Sequence, residues 1–159
     1  MDGEIKLLDN GENIDFATLT DTPITFNKLE TNTYYSGFQQ SDCSGNAINV
    51  PTLYRLALDT NGTPQRQELI RGVENLQVQY GVDSNNNGSS DQYHNANTVT
   101  NWSQVRSVRL WLLIRDECPS AGYQNTNTYI MGDSDLTADD NFRRHLYTST
   151  VMLRNNEAI

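Results

Sequence analysis

Basic residues are scarce: the 159 residues hold 11 Lys and Arg against 20 Asp and Glu, a formal charge of −9. That balance excludes a binder of nucleic-acid backbone, whose affinity comes from neutralised phosphates and needs a basic stripe. No apolar run approaches the ~20 residues of a membrane-crossing helix. The opening Met1-Asp2-Gly3-Glu4 lacks the charged-then-apolar order of a targeting segment. With only two His, two Cys and no CxxC pair, the ligand count of an ordinary zinc site is missing. A G-x-S-x-G turn and a phosphate-binding Gly loop are also absent, so His94 and His145 are candidate bases without a nucleophile. The chain therefore reads as a non-enzymatic protein.

What is present is polar but uncharged. Hydrophobic residues make up 36% and charged residues 19%, with eight Tyr, so Asn, Thr, Ser and Gln supply most of the polarity. Recurring apolar and aromatic positions argue against charge-driven disorder. The length suits a single domain over 1–159 with a core of its own. Cys43 and Cys118 both lie among turn formers. They read either as one disulfide, in keeping with an extracytoplasmic protein, or as two unrelated loop thiols.

Period-two alternation dominates. Leu53–Leu58 reads as a strand with Tyr54, Leu56 and Leu58 on one face, followed by an Asn-Gly turn at 59–64. Gln67–Val82 is the longest alternation, with Leu76, Val78, Tyr80 and Val82 opposed to Asn75, Gln77 and Gln79; Gly72 is expected to break or bulge it. Thr98–Val105 reads as one capped helical turn. Ser107–Arg115 is apolar on both faces and is therefore expected at the centre of its sheet. Gly122–Met131 reads as an edge strand and Thr137–Asp140 as the opening of a short helix. In the last strand, His145–Arg154, the inner face is expected to be Tyr147, Val151 and Leu153. The first fifty residues are the least legible, with Ile5–Leu8, Asp15–Thr20 and Ile24–Leu29 as short strands or irregular chain. The fold class that follows is α+β: mostly antiparallel sheet with few short helical turns.

One local motif carries a mechanism. In the loop 83–91, oxygen side chains fall at positions one, three, five and nine, with Gly88 at position six, the spacing of a calcium loop. Asp83, Asn85, Asn87 and Asp91, with the Ser89 carbonyl, are the candidate ligands. His94 stands where such a loop places a bidentate Glu, and two charged ligands make a weak site. The plainer reading is an Asn/Gly-rich turn between strands. Arg106, Arg109 and Arg115 share one strand and are expected to find carboxylates or to lie along the core edge. Asp133, Asp135, Asp139 and Asp140 read as a solvated loop rather than a catalytic carboxylate pair.

From Leu53 onward the chain resembles a known family. Leu53-Tyr54-Arg55, the stretch Glu68-Leu69-Ile70-Arg71-Gly72-Val73-Glu74-Asn75-Leu76-Gln77-Val78-Gln79-Tyr80-Gly81-Val82-Asp83, Trp102-Ser103-Gln104-Val105-Arg106-Ser107-Val108-Arg109 and the ending from Arg143 to Asn155 are similar, in order, to the PilW family of type IV pilus minor pilins. The J-type pseudopilin of type II secretion is related and built alike. The resemblance implies a structural head domain that joins other minor pilins and the major pilin in a tip complex priming pilus assembly. It also implies a cleaved leader and a long apolar helix ahead of the head, which anchors it in the inner membrane with the head in the periplasm, before it reaches the cell-surface pilus. Neither precedes Met1 in this sequence, so the chain is expected to be the head alone, with roles in adhesion or twitching motility following from the pilus.

Overall fold

The computed structural model of the protein describes residues 31–154, together with the backbone of two short strands nearer the start. Those two, β1 (Leu8–Asp9) and β2 (Glu12–Asn13), pair antiparallel. The expectations at residues 5–7, 15–20 and 24–29 lie outside the described residues.

From Asn32 the chain is built of strands, and the expected antiparallel architecture is observed. β3 (Asn32–Cys43), β4 (Asn46–Leu58) and β5 (Pro64–Arg71) form a three-stranded sheet in that order. β6 (Val73–Val82), β7 (Gln92–His94), β8 (Val105–Arg115) and β11 (Arg144–Met152) form a second sheet, ordered β11-β8-β6-β7. β9 (Thr128–Met131) and β10 (Ser134–Thr137) make a separate hairpin. Among the described residues the helical content is two 3-10 turns, Ala96–Thr98 and Trp102–Gln104. The second is the capped turn foreseen over Thr98–Val105: the Asn101 side chain accepts from the Ser103 amide.

Gly72 separates the two sheets. It has φ +83°, and a Cβ there would stand 2.3 Å from the Arg115 carbonyl oxygen. Its amide donates to the Pro51 carbonyl (2.7 Å) in one sheet, while its carbonyl accepts from the Arg115 amide (2.9 Å) in the other. Pro51 is tolerated in the central strand β4 because β5 pairs only from Thr52 onward, so no neighbour on that side asks for its missing N–H. Three bulges follow from register shifts, at Leu69, Glu74 and Arg106. The last two aim a charged side chain at a buried partner, a common use of an inserted strand residue.

β8 is central, as its two-sided apolarity required. Of its buried residues, Val105, Ser107, Trp111 and Leu113, the last two pack with Met131 of the β9–β10 hairpin and with Tyr129, Leu136 and Leu146. The expected inner face of β11 is corrected by this: Leu146 faces the core, while Tyr147, Val151 and Leu153 are 52%, 50% and 42% exposed. A strand paired to a neighbour that is apolar on both sides carries no periodic signal of which side is covered. The face of β6 that looks polar, Asn75–Gln77–Gln79, is registered with Leu113, Trp111 and Arg109, and Gln79 lies against Gly132 at the hairpin turn. Two further expectations are corrected. Thr137–Asp140 continues from strand β10 and opens no helix, because Ser134–Thr137 finds ladder partners in β9. Strand structure in Gly122–Met131 is confined to Thr128–Met131 and a bridge from Asn125 to Asp140.

Two devices hold this arrangement beyond Gly72. Cys43 and Cys118 are joined, with Cα atoms 5.6 Å apart, linking the tip of the β3–β4 hairpin to the segment after β8. Closing a loop of 75 residues is worth about 4 kcal/mol on the chain-entropy account. Arg144, only 3% exposed, holds both oxygens of Glu74 (2.6 and 3.0 Å) and both of Asp140 (2.6 Å each). Arg115 lies beside them, with Nε 3.9 Å from Glu74, Nη2 donating to the Asn49 carbonyl and its guanidinium over the Phe142 ring.

Two expected outcomes follow. Gly72→Ala forces a positive φ and a main-chain collision at once, so urea denaturation should show a loss of about 2–4 kcal/mol. The Arg144 hydrogen bonds outweigh burial and hold the Asp140 carboxyl at about 2, below its ordinary 3.8. A carboxyl lowered by folding adds stability at pH values above its unfolded value and loses it as pH falls through the folded one. The difference in Tm between the protein and Asp140→Asn should therefore be largest above pH 4 and shrink toward pH 2.

Candidate functional site

The feature left for function is a surface. Opposite the core, β8 presents Val108, Leu110, Leu112 and Ile114, each only half-buried. Register places Leu76, Val78 and Tyr80 of β6 beside them on one side, and His145, Tyr147, Ser149 and Val151 of β11 on the other. Trp102, 51% exposed, meets Tyr80 edge to face at 4.8 Å and extends the patch past the sheet. The contrast across β8 is sharp: Leu113 is fully buried and Trp111 8% exposed, while every apolar residue of this second face keeps contact with solvent. A contiguous apolar surface on this scale marks a place where another element or another molecule packs. At its end near Arg144 lies a shallow groove lined by Ile114, Asp116, Arg143, His145 and Tyr147, where both signs of charge meet.

The loop from Asp83 to Asp91 lies at the other end of β6. Asp83 is wholly buried and is the anchor. One carboxylate oxygen accepts from the Asn87 amide (3.0 Å), and the other from the Gly88 amide (2.8 Å) and Arg106 Nε (3.4 Å). Burial alone would raise the Asp83 carboxyl, but those two amides and the guanidinium outweigh it and hold it below the ordinary carboxylate value. Asp91 accepts from the Ser84 amide and hydroxyl (2.8 Å each) and from Asn85 Nδ2 (2.9 Å). The side-chain oxygens of Asn85 and Asn87 accept the amides of Asn87 and Ser89. Every side-chain oxygen nominated for calcium thus takes an N–H or O–H donor from the protein itself. The loop brings Asp83, Asn85, Asn87, Ser89 and Asp91 together as a self-closed turn. Among the described residues no group of three or more His, Cys, Asp and Glu is placed to hold a metal ion.

The other residues singled out in the sequence are dispersed. His94 is paired to Tyr80 in register, and His145 meets Tyr147 at a tilt of 54°, centroids 4.3 Å apart, at the far end of the sheet. Asp140 is tied up by Arg144, Asp133 accepts from Asn95 and Asp139 from Gln124, so these carboxylates do not form a pair. Two arginines of β8 meet carboxylates as expected, Arg106 pairing with Asp83 and Arg115 approaching Glu74, while Arg109 lies over the Tyr93 ring at 3.6 Å. Sequence reasoning missed the buried Arg144–Glu74–Asp140 cluster; Glu74 is 70 residues from Arg144, and only its position beside Gly72 hints at a constrained site.

Among the described residues no helix is long and apolar enough to cross a membrane. No curated protein and no solved structure matches the chain. A family model does: PilW, type IV pilus-assembly protein W, matches residues 38–155, from within β3 to just past β11. That span takes in both sheets, the pivot at Gly72, the Asp83 loop and the apolar face, and on it the chain belongs to the PilW family of type IV pilus assembly proteins.

Proposed function

We propose that this chain is the head of a minor pilin that acts by packing, without chemistry, joining other minor pilins in a tip complex that primes pilus assembly. The observation that carries this reading is the half-covered apolar face of the β11-β8-β6-β7 sheet. The resemblance of the sequence to minor pilins implies a long apolar helix ahead of the head, anchored in the inner membrane, and such a helix needs an apolar surface of this kind to seat its lower half. The scattered histidines and carboxylates support a structural role over a catalytic one. A J-type pseudopilin of type II secretion would use the same face in the same way, and the partner set distinguishes the two.

The test is co-expression of the chain, preceded by its native upstream sequence, with the other minor pilins of its own pilus system and, separately, with type II pseudopilins. Co-purification with the first set is expected. Leu110→Asp, in the middle of the face, should abolish it while the head alone still shows a cooperative unfolding transition. Recovery with the second set only would reassign the chain to secretion, and recovery with neither would end the reading.

The rival is a calcium-organised adhesive module built on Asp83, Asn85, Asn87, Ser89 and Asp91. The hydrogen bonds of the loop favour closure without an ion. Melting should then give the same Tm in excess calcium and in excess EDTA, with Asp83→Asn lower in both. A Tm raised by calcium in the parent protein and unmoved in Asp83→Asn would establish the ion site instead.

A further inference from the structure

The outer edge of β11 is a second unsatisfied surface, distinct from the apolar face. The Leu153 amide donates to Arg106 O, and the Arg143 carbonyl accepts from the Asp116 amide, so odd-numbered residues turn their backbone groups toward β8. In an antiparallel pair the alternate residues then turn theirs away. The N–H and C=O groups of the even-numbered residues Arg144–Met152 therefore point outward, and among the described residues no strand pairs with them.

The other long edges of the molecule differ. β5 carries Pro64, Arg66, Glu68, Arg71 and a bulge at Leu69, the devices that keep an edge from pairing. β11 carries none of these after Arg144, whose guanidinium is turned inward to Glu74 and Asp140. Along this edge Tyr147, Val151, Met152 and Leu153 are 52%, 50%, 57% and 42% exposed. β3 also has an open edge, but its large exposed side chains are Tyr34 and Phe38 alone.

We propose that β11 pairs with β11 of a second copy of this chain, antiparallel about a two-fold axis at Thr148. Charge lets a second copy meet here: on a chain of net charge −9, neither 105–115 nor 144–154 contains an Asp or Glu, and the formal charges of 144–154, Arg144 and Arg154, lie at its two ends, away from the axis at Thr148. In the two-fold register Thr148 faces itself, Leu146 faces Thr150, Tyr147 faces Ser149, His145 faces Val151 and Arg144 faces Met152, so no two like charges oppose each other. All the outward backbone groups are satisfied at once, and the two apolar faces join on one side of a single continuous sheet. The inference does not depend on the pilus role.

The experiment is sedimentation velocity on the 159-residue chain across a concentration series, with three variants. Thr148→Pro removes an outward amide without touching the β8 ladder, and Thr150→Lys puts a charge on the exposed edge; each should abolish the dimer while leaving the melting transition in place. Thr148→Cys should become a covalent dimer under mild oxidation, since facing Cα atoms lie about 5.5 Å apart in such a pair, whereas Thr150→Cys, facing Leu146, should not. A chain that stays monomeric throughout, a dimer indifferent to Thr148→Pro and Thr150→Lys, or equal cross-linking at both positions overturns the proposal.

Discussion

At Gly72 one residue serves two sheets: its amide closes on the Pro51 carbonyl and its carbonyl on the Arg115 amide, with 2.3 Å between the Arg115 oxygen and the place a Cβ would occupy. The other tertiary features sit around that approach. It sets where β5 ends and β6 begins, and so which residue of β6 is extra. That residue is Glu74, and its carboxylate meets Arg144 and Arg115 at the same end of the sheet. The disulfide closes the adjacent corner, from the β3–β4 hairpin to the segment after β8. Arg144 is the buried member of this ionic cluster, with Glu74 and Asp140 partly exposed, and removing its partners would strand its guanidinium. Its structural content here is positional: it fixes the start of β11 against β8.

The molecule is asymmetric across its four-stranded sheet. One side is closed by a small hairpin over Trp111 and Leu113. The other offers a broad apolar surface to whatever packs there. PilW-family proteins take part in type IV pilus assembly, and an apolar face left half-covered is a surface on which another element or molecule can pack. The Asp83 loop fits the same economy. Its short Asn and Asp side chains close it locally, and Asp83 with Arg106 bolts it to the bulge in β8.

Much of this was legible in the sequence, for reasons that differ by element. β8 announced itself because both of its faces are apolar, and Gly72 because a glycine interrupts an otherwise unbroken alternation. The pairing of Cys43 with Cys118 was one of two readings, and the structure joins them. The β3–β4 hairpin was legible only from Leu53 on, since the inward positions of β3 are Tyr35, Gly37, Gln39, Ser41 and Cys43, a row without hydrophobic contrast. The residues of the apolar face were recognised as a set, but their exposure was not. Alternation tells which side chains share a side of a strand; only the hairpin 128–137, remote in sequence, decides which side is closed. Glu74 and Arg144 were unreadable as partners because their meeting depends on a bulge.

The bulges also set how the protein tolerates change in length. Glu74 and Arg106 stand outside the ladder: with either one removed, Val73 with Ile114 and Asn75 with Leu113, or Gly81 with Ser107 and Val82 with Val105, would follow one another as a regular pairing, and neither strand would change its register. A one-residue deletion at either place would therefore spare the strand order and cost the ion pair carried there, Glu74 with Arg144 or Arg106 with Asp83.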